Sequence, residues 1–142
     1  MEAVATGSSS VEDAAARLTD LPFVDKGFAR VDTHRALRLG LPEVIFGQGK
    51  RPEQIVAIGA TLLERGQRVV VTRCSEEGAR AALDAWPEAR WHEVARCLVV
   101  DPPGWVGREP VGRILVVSAG TSDGPVAEEA RVCAEAFGNV VD

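Results

Sequence analysis

The stretch from Gly112 to Gly138 predicts a strand, a loop and a helix in immediate succession. Ile114 to Val117 form a short continuous apolar run, which is typical of a strand buried on both faces of a parallel sheet. Small and polar residues follow, and Pro125 stands where the first helical residue is expected. The helix continues to a terminal glycine with an apolar stripe of Val126, Ala130, Cys133 and Phe137. This stretch therefore predicts a β–α unit of an α/β fold.

The loop between this strand and helix has the chemistry of a phosphate site. A helix N-terminus presents free backbone N–H groups, and the helix dipole behind them favours an anion. Gly120 and Gly124 allow a close approach of the backbone, and Asp123 can accept from ribose hydroxyls. We also expect Glu128 and Glu129 in the first helical turn. Hydroxyl donors are available on Ser118, Thr121 and Ser122. The alternative is a glycine-rich turn that binds nothing, because a glycine-rich motif alone has low specificity for phosphate binding.

The segment SAGTSDGPVAEEA, residues 118–130, resembles the opening loop of the AIR-carboxylase (PurE-like) domain. Within that superfamily the chain is most similar to the LarB family of nickel-pincer cofactor biosynthesis. Three upstream blocks agree in the same order: LPFVDKGFARVDTHRALRLGLPEVIFGQGKRPEQIVAI, ERGQRVVVTR and ARCLVVDPPG. The resemblance covers about Leu21 to Asp142, and its ordered blocks make it more specific than the loop alone.

The resemblance implies a carboxylase and hydrolase, a pyridinium-3,5-biscarboxylic acid mononucleotide synthase. Such proteins carboxylate the pyridinium ring of nicotinic acid adenine dinucleotide and hydrolyse its phosphoanhydride, for the cofactor of lactate racemase. The implied co-substrate is CO₂ or bicarbonate, and Mg²⁺ is suggested only by the substrate's phosphates. Carried over to this chain, the loop that holds ribose and phosphate comprises Ser118, Ala119, Gly120, Thr121, Ser122 and Asp123.

The resemblance also predicts what this chain lacks. The family's PurE-like domain is a complete doubly wound, flavodoxin-like domain, whereas this chain ends one strand and one helix into it, with a further strand begun at Val140 and Val141. The family's catalytic cysteine and carboxylate lie on later loops, so no residue here is predicted to be catalytic. We expect an N-terminal fragment without turnover of its own. The family assembles as a homo-octamer, and we expect this chain to be a monomer or dimer.

The chain divides into four predicted regions. Residues 1–20 are a disordered N-terminus with a short helix over Val11–Leu18, and residues 21–100 are a small α/β or α+β domain. Residues 101–111, rich in Pro and Gly, are a linker, and residues 112–142 begin the PurE-like domain. Within the first domain we predict strands over 28–32, 43–46, 68–72 and 96–100, with helices that start at Pro52 and after a Ser75 cap and end at Gly66 and Pro87.

Two basic segments have competing interpretations. A cluster between the first strands is either an anion-recognition surface or a solvated turn with ion pairs to Asp32 or Glu43. We favour the turn for this cluster, which comprises Arg30, Asp32, His34, Arg35 and Arg38. Gly47–Lys50 is similar to a P-loop, but Arg51 follows where the Walker pattern needs Ser or Thr. We therefore interpret it as a turn into the next helix.

Cysteine, histidine and tryptophan give no catalytic or metal signal. Cys74, Cys97 and Cys133 contain no CxxC pair. Their sequence surroundings favour buried free thiols at Cys97 and Cys133, whereas Cys74, beside Ser75, is expected to be more exposed but not activated. His34 and His92 are too isolated for metal ligands, so no metal site is predicted. Trp86 and Trp91 have either a stacking or a core role, and we favour the core. Trp105 is placed to pin the linker to a neighbouring surface.

Composition limits the classes of partner. The net charge is −5, which argues against nucleic acid and anionic membrane surfaces. No apolar run approaches the ~20 residues of a membrane span, and the N-terminus lacks the pattern of a signal peptide, which favours the cytoplasm. Two other functions stay open: a non-catalytic α/β interaction module, and an AIR carboxylase-like protein of purine biosynthesis. The second is weaker because the block from Phe28 to Lys50 matches the LarB-like branch.

Overall fold

The computed structural model describes residues 4, 6–8, 10–12, 15, 23–35, 40–107, 109–110 and 112–142. The predicted helix over Val11–Leu18 falls mostly outside this part of the chain. The helices described below are α1 (Pro52–Leu63), α2 (Glu76–Ala85) and α3 (Gly124–Ala136). The strands are β1 (Phe23–Asp25), β2 (Arg30–Asp32), β3 (Val44–Phe46), β4 (Val69–Thr72), β5 (Arg90–His92), β6 (Cys97–Val100), β7 (Arg113–Ile114) and β8 (Val140–Val141).

A mixed four-stranded sheet forms the centre of the fold, with strand order β3-β4-β6-β5. β3 and β4 are parallel, with α1 as the crossover, and β6 is antiparallel to both β4 and β5. β1 and β2 form an antiparallel hairpin, and β7 pairs in parallel with β8. This architecture confirms the predicted α/β class.

Helices cover both faces of the sheet. Alternate residues of β4 and β6 point to opposite sides, as the twofold period of a strand requires. On one face Val69 and Val71 pack with α1 and α2, together with Leu98 and Val100. On the other face Val70 meets Val132 and Ala136 of α3, together with Cys97 and Val99. The helix of the predicted β–α unit is thus packed on the sheet of the preceding domain.

Local signals set the helix ends. α1 begins at Pro52 as predicted, and after its end at Leu63 the chain turns through Gly66, whose φ is +68°. The Ser75 Oγ accepts a hydrogen bond from the Gly78 N–H at 3.1 Å and caps α2, as predicted. Trp86 ends α2 and packs in the core with Trp91, which confirms the core role of both indoles.

The predicted strand over Ile114–Val117 is wrong in extent and burial. Only Arg113 and Ile114 form a ladder, and Leu115 and Val117 are 72% and 80% exposed. β8 pairs with two residues, and the Val116 N–H donates to the Asp142 carbonyl at 2.9 Å, but this pairing along one edge leaves the side chains of the run exposed. A continuous apolar run is therefore not enough to predict a strand buried on both faces.

Two strands of the structure, β1 and β5, were not predicted from the sequence. β1 pairs with the predicted β2, and β5 pairs with the predicted β6. Both are three residues long, so periodicity gives little signal for either.

Across the described part of the chain, every helix is too short or too polar to span a bilayer. The division into two domains at residues 101–111 stays a prediction.

Candidate functional site

Residues 47–51 and 73–75 follow β3 and β4 at the end of the sheet that we call the carboxyl edge, and the loop of residues 118–123 lies at the same end. The direction of α3 brings the third loop there. Near its start, Glu129 pairs with Arg73, which follows β4. At its end, the Ala136 carbonyl accepts from Arg68, which precedes β4. α3 therefore runs antiparallel to β4, and its N-terminus lies at the same end of the sheet as those of α1 and α2.

The predicted phosphate and ribose loop is a single exposed turn at the start of α3. Each predicted site residue from Ser118 to Asp123 is exposed. Gly120 has a φ of +109°, a conformation that favours glycine, and its carbonyl accepts from the Asp123 N–H at 3.3 Å. Asp123 is the N-cap, but its side chain makes no capping hydrogen bond. Its carboxylate is therefore available to a ligand.

Hydrogen-bond donors in this loop are also available. Among the described residues, the hydroxyls of Ser118, Thr121 and Ser122 make no hydrogen bond, and neither do the backbone N–H groups of Thr121 and Ser122. These groups face solvent, so water satisfies them in the unliganded chain. The loop can therefore donate several hydrogen bonds to one anion without the loss of any protein contact.

The acidic residues of α3 lie one turn later than predicted. The helix begins at Gly124 rather than Pro125, so its first turn contains no acidic residue. Glu128 accepts from the Arg131 Nε at 2.9 Å, and this hydrogen bond lowers the pKa of the Glu128 carboxyl. Glu129 Oε2 lies 2.9 Å from the Arg73 Nε. Both carboxylates are thus paired with arginines, and the positive end of the helix dipole keeps its effect on an anion.

Two arginines in left-handed backbone conformations lie in the loops beside the sheet, and Arg96 joins its loop to the one that contains Cys74. Arg73 and Arg96 have φ values of +49° and +50°. The Arg96 carbonyl accepts from the Cys74 N–H at 2.9 Å, and the Arg96 Nε donates to the Cys74 carbonyl at 3.1 Å. The sequence prediction did not single out either arginine. The position of Arg73 at this edge could have been predicted, because it lies between a predicted strand end and the Ser75 cap.

The segment Gly47–Lys50 packs tightly against the loop after β4. The Gly47 N–H donates to the Thr72 carbonyl at 2.7 Å, and a Cβ on Gly47 would lie 3.0 Å from the Cys74 Cα. The Lys50 Nζ donates to the Phe46 carbonyl at 2.8 Å. The segment therefore turns β3 into α1, as predicted, and its lysine is bound to the backbone of its own strand.

A separate cavity of about 380 Å³ lies at the other end of α3, beside Trp105 and Phe137. Because α3 has 13 residues at about 1.5 Å each, this cavity is about 20 Å from the loop.

The Arg68 guanidinium stacks on the Trp105 ring at 4.8 Å, so Trp105 does pin the linker. Burial raises the pKa of Asp101, but hydrogen bonds from Arg68 and Arg90 outweigh it and leave that pKa low. We call the group of Arg68, Arg90 and Asp101 the clamp, because it joins three segments of the fold and has a structural role.

The basic cluster after β1 makes the ion pair to Glu43 that the turn interpretation predicted, but its Asp32 is buried rather than solvated. Arg35 Nη1 lies 3.7 Å from Glu43 Oε2, and the His34 N–H donates to Asp32 Oδ1 at 2.9 Å. Arg30 stacks on Phe23 at 4.7 Å, and Arg38 lies outside the described residues. Within the described residues there is no group of three or more His, Cys, Asp or Glu side chains that could hold a metal.

Comparison with known proteins places the chain in a family. The family model described as LarB/PurE-like N-terminal domain matches residues 23–102, more than half of the chain, from β1 to the end of β6. An uncharacterized protein of Methanocaldococcus jannaschii is 28% identical over 114 residues, which cover 77% of this chain and 44% of that protein. The chain thus spans less than half the length of this relative. On the family match, which confirms the resemblance seen in the sequence, the chain belongs to the LarB family.

Proposed function

We propose that the loop from Ser118 to Asp123 binds the phosphate and ribose of a pyridine dinucleotide, nicotinic acid adenine dinucleotide in a LarB-type protein. One observation carries the proposal: an exposed loop with unengaged hydroxyl and N–H donors opens α3 at the carboxyl edge. Ligands of α/β sheets bind outside the carboxyl ends of the strands. An anionic substrate would there meet the positive end of the α3 dipole.

The charge of the whole chain does not oppose this proposal. The net charge is −5, but the two glutamates that follow the loop in α3, Glu128 and Glu129, are paired with Arg131 and Arg73. Arg73 and Arg96 add positive charge at the same edge. Because screening at physiological salt acts over about 8 Å, these local charges matter more to a bound phosphate than distant carboxylates do.

The chemical steps belong to the proposed family activity, and we assign none of them to a residue of this chain. Carboxylation would use CO₂ or bicarbonate, and hydrolysis of the phosphoanhydride would release AMP. The loop contains one carboxylate, Asp123, which does not fit a resident Mg²⁺ held by protein oxygens alone. We therefore derive no step through a metal, and we expect this chain to bind the dinucleotide without turnover.

Removal of the loop hydroxyls should weaken binding of the dinucleotide. We expect Thr121→Val and Ser122→Ala each to raise the Kd of nicotinic acid adenine dinucleotide about 5- to 10-fold, since one solvent-exposed hydrogen bond contributes about 1–1.5 kcal/mol. Isothermal titration calorimetry measures this directly. Ser8→Ala, an exposed hydroxyl outside the loop, is the control and should leave the Kd unchanged.

Either of two results contradicts the assignment. If both loop variants bind like the unmodified chain, the dinucleotide binds elsewhere and the loop is an ordinary turn. If the unmodified chain does not bind the dinucleotide at millimolar concentration, the loop does not hold this substrate in the isolated chain. A measured carboxylation of the dinucleotide by the purified chain would show that it has turnover, against our expectation.

An exposed apolar strip favours a second candidate, a non-catalytic interaction module. Leu115, Val117 and Val126 are 72%, 80% and 55% exposed and lie at the end of β7 and the start of α3. Exposed apolar patches mark interaction sites, and a strand edge can pair with another chain. We expect dimers by sedimentation velocity that the double variant L115S/V117S abolishes. A chain that is monomeric at every concentration would argue against this candidate.

A further inference from the structure

The cavity of about 380 Å³ beside Trp105 lies at the end of the sheet opposite the carboxyl edge. Its walls come from four segments: the turn between α1 and β4, the residues before β3, the segment after β6 and the end of α3. Most of the lining is apolar, and the volume is within the range of sites for small molecules. No residue of the loop 118–123 lines this cavity, so what the cavity binds does not depend on the function proposed for that loop.

Two aromatic rings line this cavity. Trp105 is 37% exposed, and the Arg68 guanidinium covers its ring at 4.8 Å. Phe137 is half-buried at the end of α3 and packs against the apolar cluster on that face of the sheet. Aromatic side chains make offset-stacked and edge-to-face contacts with other rings, which add to the gain from apolar burial. The two rings therefore favour a planar aromatic ligand.

The charged side chains of the described lining are already paired. The Arg68 Nε contacts the Asp101 carboxylate, and Arg68 also donates to the Ala136 carbonyl. Glu135 accepts from the Arg131 Nη1 at 2.7 Å. Since a charge taken out of water needs a partner, an ionised ligand would have to break one of these pairs. The cavity therefore favours a neutral molecule.

The other polar side chains of the described lining, Asn139 and Gln67, present hydrogen-bond acceptors. The Asn139 Nδ2 donates to the Ala134 carbonyl at 2.9 Å, which fixes the amide and leaves its Oδ1 as an acceptor. The Gln67 Nε2 donates to the Thr33 carbonyl at 2.7 Å, and among the described residues its buried Oε1 has no hydrogen-bond partner. The negative end of the α3 dipole also favours a donor here. A ligand with an N–H group fits this lining.

We propose that this cavity is a binding site for a neutral, planar heteroaromatic molecule that carries an N–H donor, such as an indole. The ring packs against Trp105 and Phe137, and its N–H donates to the Asn139 Oδ1. A bound molecule contacts both the segment after β6 and the end of α3. Because it binds only the folded chain, it also stabilises the packing of α3 on the sheet.

The test compares indole with benzofuran, which has the same shape but an oxygen in place of the N–H. Isothermal titration calorimetry of the full chain should show saturable binding of indole at millimolar concentration. The Kd of indole should be about 5- to 10-fold lower than that of benzofuran, because only indole can donate to Asn139. In Asn139→Ala the two Kd values should agree within about 2-fold. A merely structural role of Asn139 would weaken both probes alike and leave the preference unchanged.

Two glycine variants locate the site. A Cβ on Gly107 or on Gly112 would meet no atom within 4 Å, and neither glycine has a positive φ, so both accept leucine without backbone strain. Gly107 lines the cavity and Gly112 does not. Gly107→Leu should therefore abolish indole binding, whereas Gly112→Leu should leave its Kd unchanged. In NMR spectra of the ¹⁵N-labelled chain, indole should shift the side-chain N–H signal of Trp105 and the amide signals of Asn139.

Four results would overturn the proposal. These are no saturable binding of indole to the unmodified chain, equal Kd values for indole and benzofuran, unchanged indole binding by Gly107→Leu, and shifts confined to residues away from the cavity. Circular dichroism first checks that each variant folds. If Asn139→Ala does not fold, the comparison of the two probes on the unmodified chain still decides whether the cavity prefers an N–H donor.

Discussion

At the scale of single residues, Asp101 is a carboxylate that pairs with two arginines from different strands. It joins Arg68, which is 12% exposed, to Arg90 at 2.8 Å, and Arg68 in turn reaches the α3 carbonyl of Ala136 and the ring of Trp105. The clamp therefore ties the start of β4 to the linker and to the end of α3. The sequence indicated only the role of Trp105, because ion pairs across 33 residues leave no local pattern.

Asp101→Asn should lower the free energy of unfolding by about 2 kcal/mol, since it removes a charged acceptor from a mostly buried guanidinium. Urea denaturation at pH 7 measures this change. Asp84→Asn on the exposed face of α2 is the matched control and should change stability by less than about 0.5 kcal/mol. Equal effects of the two variants would contradict the clamp.

The same carboxylate predicts a pH dependence. The pKa of Asp101 in the folded chain is lower than the unfolded value of about 3.9, so its stabilising effect is complete above that pH. The effect is lost as the pH falls through the folded-state pKa. The difference in unfolding free energy between the unmodified chain and Asp101→Asn should therefore shrink below about pH 4. A difference that stays constant down to pH 2 would argue against this assignment.

Gly59 is a second residue at which the surrounding structure predicts the effect of a substitution. A Cβ there would lie 2.6 Å from the Trp86 ring, where α1 and α2 cross. Gly59→Ala should lower the free energy of unfolding by about 1–3 kcal/mol through overpacking, although alanine favours helix. The double variant G59A/W86L should recover part of the loss. Greater stability of G59A than of the unmodified chain would show that the indole moves aside freely.

At the scale of elements, the helices and the inner strands could be predicted, and the strand of the β–α unit could not. N-cap residues, Pro and Gly predicted where α1 and α2 begin and end. Apolar runs rich in β-branched residues predicted β4 and β6. The run after Gly112 has the same composition, but its burial depends on which strands pair with it. That depends on tertiary structure, so Leu115 and Val117 were predicted to be buried and are exposed.

The packing of α3 on the sheet gives a prediction at this scale. Val132→Ala should lower the free energy of unfolding by about 1–3 kcal/mol, because Val132 is 2% exposed against Val70 and Val99. Val126→Ala on the same helix is the control. Val126 is 55% exposed, so its substitution should have an effect within about 0.5 kcal/mol. Similar effects at both positions in urea denaturation would contradict this packing.

At the scale of the whole molecule, the candidate site extends beyond the family's N-terminal domain. The match ends at residue 102, yet the helix that follows packs on the sheet formed by that domain. The sequence predicted the loop and its donors, but not that α3 runs antiparallel to β4. That direction puts the loop at the same end of the sheet as Arg73 and Arg96, which come from the matched region.

The central claim is that the loop of residues 118–123 binds the dinucleotide at the carboxyl edge. The most direct test is a titration of the ¹⁵N-labelled chain with nicotinic acid adenine dinucleotide, followed by NMR. We predict saturable shifts of the amide signals of residues 118–124, with smaller shifts around Arg73 and Arg96. Shifts confined to the cavity around Trp105 and Phe137, or no shifts at all, would contradict the claim.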